Sequence, residues 1–132
     1  MDKLILGIDI GTTSLKTAVY TVEGQQVASA VLEYSLLTPE TNIVEAPCEI
    51  YMDSLCACMR MLRENGKVDT RKIGVVGFSV QGETFCMLDE SCKPLGNAIV
   101  WMDNRAVRQA EALRAHFGDA VCYEVTGQVS FE

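Results

Sequence analysis

The sequence lacks the positive charge and the long apolar runs that mark several functional classes. It contains 11 Lys and Arg residues against 18 Asp and Glu residues, which gives a formal net charge of −7. This balance disfavours a nucleic acid or an acidic membrane surface as a partner. No stretch approaches the length of a membrane span, and no basic segment with a cleavage site precedes the first apolar run. We therefore expect a cytoplasmic protein without a nucleic-acid or membrane partner.

Metal-binding patterns of histidine and cysteine are also missing. His116 is the single histidine, and the six cysteines form no Cys-x-x-Cys pair. We therefore interpret the cysteines as reduced, mostly buried thiols that pack in the core, rather than as a metal site. These residues are Cys48, Cys56, Cys58, Cys86, Cys92 and Cys122.

The length and the hydrophobic pattern predict one domain of the α/β class. A chain of 132 residues with 48% hydrophobic composition can bury one ordinary core. Runs of apolar residues predict strands, and apolar residues at helical spacing predict helices. The first and fourth predicted strands are nearly uninterrupted apolar runs, which predicts burial on both faces. The predicted strands cover residues 4–10, 15–21, 27–36, 72–80 and 97–101, the helices 47–64 and 106–117, a loop 38–46 and a tail 121–132.

A carboxylate and a turn of small residues stand at the end of the first predicted strand. Asp9 lies near the end of that strand, and Gly11, Thr12, Thr13 and Ser14 follow it. Glycine allows the backbone to approach an anion, and consecutive backbone N–H groups can point at phosphate oxygens. Asp9 would face a magnesium ion, directly or through water, because hard cations prefer carboxylate oxygen. The alternative is an ordinary hairpin with a polar turn, in which Asp9 only caps the turn.

A second polar group follows the ends of two later strands. Gln81 and Glu83 come after the fourth predicted strand, and Asp103 and Arg105 follow the strand that ends at Trp101. Ligands of layered α/β sheets usually bind at strand ends, so this group predicts a sugar or polyol site. Carboxylates accept from hydroxyls, Arg and Gln donate in return, and Trp101 offers an apolar face. In the alternative, Asp103 caps the next helix or pairs with Arg105, and Glu83 is only solvated.

Four segments of the chain, in order, resemble motifs of one superfamily. Asp9-Ile10-Gly11-Thr12-Thr13-Ser14, with Lys16, resembles the first phosphate motif of sugar kinases, heat-shock ATPases and actin. Residues 42–47 are similar to the Trp-Val-Glu-x-x-Pro element of the FGGY carbohydrate kinases, with Ile43 in place of tryptophan. Residues 77–84 and 97–101 resemble the Gln-Arg-Glu-Thr and Asn-Ala-Ile-Val-Trp segments of the glycerol kinase branch. The Trp-x-Asp-x-Arg form at 101–105 is closer to the xylulokinase and gluconokinase branches.

The resemblance implies a ribonuclease-H-like fold of the actin-like ATPase superfamily, with a mixed sheet and helices. It also implies that residues 1–132 are the N-terminal portion of an incomplete first kinase domain, and that the second, adenosine-binding domain is absent. ATP and Mg²⁺ are the implied cofactors, and the catalytic Asp base is implied beyond Glu132. A sugar or polyol is the implied substrate, and the full-length protein is compatible with a homodimer.

The resemblance assigns roles to two sets of residues. The implied nucleotide contacts are Asp9, Gly11, Thr12, Thr13, Ser14 and Lys16, with Asp9 at the metal. The implied substrate contacts are Gln81, Gly82, Glu83, Trp101, Asp103 and Arg105. We expect Glu83 and Asp103, with Gln81 behind them, to face one solvent-filled hollow at the sheet edge that carries the turn at 11–14.

The expected function is that of a piece of an ATP-dependent carbohydrate kinase that is inactive by itself. Gly82 stands where glycerol kinases have an arginine that contacts glycerol, which argues against glycerol. The Met-His of xylulokinases is Gly82-Glu83 here, so xylulose does not follow from the motif either, although a xylulose-like ketose is favoured. Two alternatives stay open: a non-catalytic fold or binding module, and another ATPase of the actin-like superfamily.

Overall fold

Six strands and three α-helices form the part of the chain that the computed structural model describes, residues 3–64 and 68–128. The strands are β1 (Leu4–Ile10), β2 (Ser14–Thr21), β3 (Gln26–Glu33), β4 (Glu45–Ala46), β5 (Ile73–Val80) and β6 (Ala98–Ile99). The helices are α1 (Glu49–Glu64), α2 (Val107–Phe117) and α3 (Asp119–Thr126), and a short 3₁₀ turn (Thr70–Lys72) precedes β5.

Four of the strands form one mixed sheet with the order β3-β2-β1-β5. β1 pairs antiparallel with β2, and β2 pairs antiparallel with β3. β1 pairs parallel with β5, which the chain reaches from β3 by way of α1. α1 packs against β2 and β3. This mixed sheet with helices confirms the predicted fold class.

One face of the sheet and one side of α1 form the hydrophobic core. Alternate residues of a strand point to the same face, so Leu4, Leu6 and Ile8 are buried together while the residues between them are only half-buried. On α1, Cys58 and Leu62 lie four residues apart, on one side of the helix, and both are fully buried. They confirm the helical spacing that predicted this helix. The cluster is completed by Leu15, Val19, Ala30 and Val68.

Several element boundaries differ from the prediction. α1 begins at Glu49, two residues after Pro47, and its predicted end at 65–66 lies outside the described residues. Glu45–Ala46, predicted as part of a loop, forms β4 and pairs with β6. Asp119–Thr126 begins before the predicted tail and forms a helix. A strand of two residues is too short to show alternation, and a helix of eight residues is shorter than the window over which helical spacing is recognised.

β5 is exposed, which contradicts its predicted burial on both faces. Val75, Phe78 and Val80 are 56%, 63% and 58% exposed. Within residues 3–64 and 68–128, β5 is an edge strand whose one sheet neighbour is β1. In the same described ranges β1 is covered on one face only, because α1 lies on the side of Leu6 and Ile8. An apolar run in the sequence therefore did not predict correctly whether both faces of the strand are buried.

The prediction of reduced, mostly buried cysteines is wrong for most of the six. Cys58 is fully buried, but Cys56 and Cys92 are exposed. Cys48 and Cys86 are joined by a disulfide, which ties the residue before α1 to the segment after β5. The two are 38 residues apart in sequence, so only the path of the backbone brings them together.

The exposed edge of β5 predicts self-association of the isolated 132-residue chain. An apolar edge strand with unpaired backbone N–H and C=O groups is a template for pairing with another chain. We expect Val76→Lys, at a 48% exposed position of β5, to shift the chain towards the monomer in analytical ultracentrifugation. Val22→Lys, at a 61% exposed position just after β2, is the matched control and should leave the association unchanged. Equal association of wild type and Val76→Lys would contradict this expectation.

Candidate functional site

The parallel pairing of β1 and β5 places their C-terminal ends at one edge of the sheet. Ile10 ends β1 and pairs with Val80, which ends β5. The Gln81 N–H then donates to the Ile10 carbonyl at 2.8 Å and continues the pairing beyond the strand ends. The turn at 11–14 and the segment at 81–84 therefore lie side by side.

The 11–14 turn is a tight hairpin tip. The Gly11 N–H donates to the Ser14 carbonyl at 2.9 Å. A Cβ atom on residue 11 would lie 3.1 Å from that carbonyl oxygen, so the close approach favours glycine. Thr12 is half-buried and Thr13 is exposed at the tip. The structure thus gathers the residues of the predicted phosphate turn in one hairpin.

Asp9 and Lys16 face each other across β1 and β2, on the side of the sheet opposite the core. Lys16 Nζ lies 3.7 Å from Asp9 Oδ2, and the two side chains are 56% and 44% exposed. An ion pair this exposed contributes little to stability. Because the Asp9 side chain is 44% exposed, its carboxylate is accessible to a ligand. Both residues line an open cleft of about 530 Å³ together with Gly7 and Ser79. The sequence had placed Asp9 at the end of a strand buried on both faces, whereas its side chain is solvated.

Trp101 joins the two predicted groups of site residues. Its indole Nε1–H donates to the Thr12 hydroxyl oxygen at 3.0 Å. Its backbone N–H donates to the Thr84 hydroxyl oxygen at 3.2 Å, which anchors it to the segment after β5. The indole is about half-exposed, so one part of the ring system is open to solvent beside the 11–14 turn.

Gln81 and Glu83 lie in different environments after β5. Gln81 is half-buried, and its Nε2–H donates to the Tyr51 hydroxyl at 3.2 Å. Its Oε1 is buried and has no hydrogen-bond partner in the described part of the chain. Glu83 is exposed and has a φ of 62°, a left-handed conformation that is uncommon outside glycine. Backbone strain of this kind clusters at functional sites. Gly82 between them is exposed.

Asp103 is closed off by an ion pair. Its side chain is 2% exposed and accepts two hydrogen bonds from the Arg105 guanidinium, at 2.7 Å each. It also accepts from the Val44 N–H at 2.7 Å. The hydrogen bonds from the Arg105 side chain are the main cause that lowers the pKa of Asp103 to about 2.

The expectation that Glu83 and Asp103 face one solvent-filled hollow is therefore wrong for Asp103. The helix-cap alternative is also wrong, because α2 begins after Ala106 without a side-chain cap.

Arg105 extends this network to Glu45, which the sequence analysis did not single out. The Arg105 Nη2–H donates to Glu45 Oε1 at 2.7 Å, and the Asn97 side-chain amide donates to Glu45 Oε2 at 2.8 Å. These hydrogen bonds, first from Asn97 and then from Arg105, lower the pKa of Glu45. The signal that could have found Glu45 was its place as the acid of the 42–47 element.

Two tyrosines that the sequence did not single out lie beside the site, and one of them, Tyr34, bonds to the 11–14 turn. The Tyr34 hydroxyl donates to the Gly11 carbonyl, and the Tyr34 N–H donates to the Thr13 carbonyl at 2.9 Å. The rings of Tyr34 and Tyr51 meet edge to face, with centroids 5.8 Å apart. Burial is the largest cause that raises the pKa of Tyr34 to about 12. An aromatic residue with a polar tip directly after β3 was the available signal.

The side chains at this edge fit one kind of metal site. Among the residues that the structure describes, no three His, Cys, Asp or Glu side chains are grouped as a metal cluster. Mg²⁺, however, usually takes one or two protein carboxylates and completes its shell with phosphate oxygens and water. The partly exposed Asp9 carboxylate fits that role.

In the same described ranges, no helix has the length and apolar character to span a bilayer.

Comparison with known proteins gives consistent matches over nearly the whole chain. The model of the N-terminal domain of the FGGY family of carbohydrate kinases matches residues 4–132. A glycerol kinase of Alcanivorax borkumensis is 38% identical over 112 residues, which cover 83% of this chain and 22% of that protein.

Solved structures share the fold. A gluconate kinase from Lactobacillus acidophilus superimposes with a TM-score of 0.84 at 26% identity, covering 94% of this chain and 25% of the other. A ligand-bound xylulose kinase from the same organism gives a TM-score of 0.83 at 26% identity, covering 92% of this chain and 24% of the other. The chain thus spans about a quarter of the length of the proteins it matches.

The Asp103–Arg105 pair predicts a defined loss of stability in acid. The pKa of Asp103 lies below its ordinary value of about 3.9, so the pair stabilises the fold above that value and loses its effect as the pH falls towards 2. We expect Asp103→Asn to lower the midpoint of thermal unfolding at pH 7, and the difference from wild type to shrink between pH 4 and pH 2. Asp53→Asn, at an exposed position of α1, is the control and should have little effect. A difference that stays constant with pH would count against this account of the pair.

Proposed function

Since the chain belongs to the FGGY family of carbohydrate kinases, we propose that the complete protein transfers the γ-phosphoryl group of ATP to a hydroxyl of a sugar or polyol. One observation carries this proposal for the present chain. The hydrogen bond from the Trp101 indole to Thr12 holds the candidate sugar platform against the candidate phosphate turn. A kinase needs the acceptor hydroxyl beside the phosphoryl group, because its catalysis depends mainly on positioning and charge stabilisation.

The phosphate side of the proposed site is the 11–14 turn with Asp9 and Lys16. Backbone N–H groups and hydroxyls of Thr12, Thr13 and Ser14 would bind phosphate oxygens. Asp9 would hold Mg²⁺, which neutralises charge on the phosphates when bound. Lys16 lies 3.7 Å from Asp9 and adds a positive charge on the same side of the sheet.

The sugar side is the segment after β5 together with Trp101. The exposed part of the indole would pack on the carbon–hydrogen face of the substrate, and the exposed Glu83 would accept from its hydroxyls. Gln81 carries a buried, unpartnered oxygen in the described part of the chain and would add an acceptor. Since the Asp103 oxygens are already occupied, we assign Asp103 and Arg105 to the frame that holds Trp101 and the 42–47 loop.

We propose a xylulose-like ketose rather than glycerol as the substrate. Gly82 provides no side chain where the glycerol kinase resemblance implies an arginine.

The isolated 132-residue chain is proposed to be inactive. It spans about a quarter of its relatives, and the catalytic base and the adenosine contacts of the family are expected from the rest of the protein.

The proposed function is tested by Asp9→Asn in the complete protein. Removal of the carboxylate charge should lower kcat by about 10²-fold or more. The reason is that Asp9 would no longer hold the Mg²⁺ that neutralises the negative charge of the transferring phosphoryl group. Sugar binding, measured by calorimetry, should stay close to wild type. Activity is measured as ADP release with a broad panel of polyols, ketoses and sugar acids that includes xylulose, ribulose, gluconate and glycerol. Asp53→Asn on the exposed side of α1 is the matched control. If wild type phosphorylates none of a broad sugar panel, or if Asp9→Asn turns over normally, the proposal fails.

Substrate choice is tested by Gly82→Arg in the complete protein. A Cβ atom on residue 82 meets nothing within 4 Å, so the start of a new side chain meets no neighbouring atom. We expect the ratio of kcat/KM for glycerol to that for xylulose to rise about tenfold, the effect of one added hydrogen bond from a charged group. Gly96→Arg, where a Cβ atom also meets nothing within 4 Å, is the control and should leave the ratio unchanged. An unchanged ratio in Gly82→Arg would show that residue 82 does not discriminate the substrate.

A further inference from the structure

We propose that Tyr34 is a positioning residue that aims the backbone N–H groups of the 11–14 turn at the phosphates. The inference rests on the proposed function, because it assigns the turn to nucleotide binding. Tyr34 lies one residue beyond β3 and holds the turn at two points. Its hydroxyl donates to the Gly11 carbonyl, and its N–H donates to the Thr13 carbonyl at 2.9 Å.

The direction of these two carbonyls sets the direction of two N–H groups. In a trans peptide the C=O and the following N–H lie in one plane and point to opposite sides. Both carbonyls point towards Tyr34, so the N–H groups of Thr12 and Ser14 point away from it. If the hydroxyl were lost, the peptide between Gly11 and Thr12 could rotate and present a carbonyl oxygen, which repels an anion. The Tyr34 hydroxyl therefore keeps a donor, and not an acceptor, facing the ligand.

The surroundings of Tyr34 keep its hydroxyl in place and protonated. The ring is half-buried, packs against the core and meets the ring of Tyr51 edge to face at 5.8 Å. Tyr51 is held in turn by the hydrogen bond from Gln81, which stands next to Ile10 across the parallel strands. Tyrosine is protonated at neutral pH at its ordinary pKa of about 10, and burial, the largest cause, raises the pKa of Tyr34 further to about 12.

The role of the hydroxyl can be separated from that of the ring. A phenylalanine ring would fill the same space and keep the edge-to-face contact with Tyr51, and the backbone bond to Thr13 does not depend on the side chain. Tyr34→Phe therefore removes one contact, the hydrogen bond to the Gly11 carbonyl. Tyr20→Phe is the matched control, because it removes the same group from a hydroxyl that donates to Gln26 at an exposed position of the β2–β3 hairpin.

The experiment compares wild type, Tyr34→Phe and Tyr20→Phe of the complete protein by two measurements. Steady-state kinetics are recorded with Mg·ATP varied at saturating sugar, and with sugar varied at saturating Mg·ATP. For Tyr34→Phe we expect kcat/KM for ATP to fall about tenfold, the effect of one lost hydrogen bond, while KM for sugar stays within about twofold. Amide hydrogen exchange is recorded over residues 10–15 without ligand, and Tyr34→Phe should exchange faster there. Tyr20→Phe should match wild type in both measurements.

Each outcome decides between the inference and the proposed function. Faster exchange at 10–15 with a selective loss in kcat/KM for ATP supports the inference. An active wild type whose Tyr34→Phe variant shows unchanged exchange, or unchanged kinetics for ATP, overturns the inference and leaves the proposed function intact. A loss that falls equally on ATP and sugar points to a general structural role and also overturns it. A wild type without sugar kinase activity refutes the proposed function and with it the role of the turn.

Discussion

The parallel pairing of β1 with β5 is the contact on which the candidate site depends. It brings the residue after β5 to the last residue of β1, where the Gln81 N–H donates to the Ile10 carbonyl. The C-terminal ends of parallel strands lie at the same edge of a sheet, so the segments that follow β1 and β5 lie close together at that edge. The 11–14 turn follows β1 through a hairpin, and the segment with Glu83 follows β5. If this pairing slipped by one residue, the side chains of β5 would change faces and the two segments would no longer be aligned.

Two polar networks then hold this edge in shape. On the side of the turn, Tyr34 and Tyr51 connect the Gly11 carbonyl to Gln81. On the other side, Asp103 and Arg105 connect the Val44 backbone to Glu45. In both networks the polar groups are bonded to other groups of the chain, such as the Gly11 carbonyl and the Val44 N–H. Acidic and basic residues at strand ends therefore do not all bind a ligand. Asp103 and Arg105 bond to each other and to the neighbouring chain, whereas Glu83 is exposed.

β5 presents an exposed apolar surface in a chain that spans only part of the length of its relatives. β5, an eight-residue strand without a charged side chain, is exposed at every residue after Ile73, and the chain covers about a quarter of the matched kinases. Apolar runs of this kind are typical of strands covered on both faces. The described elements cover one face of β1 and little of β5, so the sequence pattern and the burial disagree at this strand.

Local patterns in the sequence determined the longer elements and the motif, and tertiary structure decided which side chains are free. The apolar run of β1, the alternation of β2 and the small residues of the 11–14 turn are properties of neighbouring residues, so they could be recognised without coordinates, as could the family resemblance. The hydrogen bond between Trp101 and Thr12 spans 89 residues, and that between Asp103 and Val44 spans 59. Contacts at such separations depend on the path of the whole backbone. For this reason the sequence could nominate Asp103 as a ligand, but only the fold showed that its oxygens are already bonded.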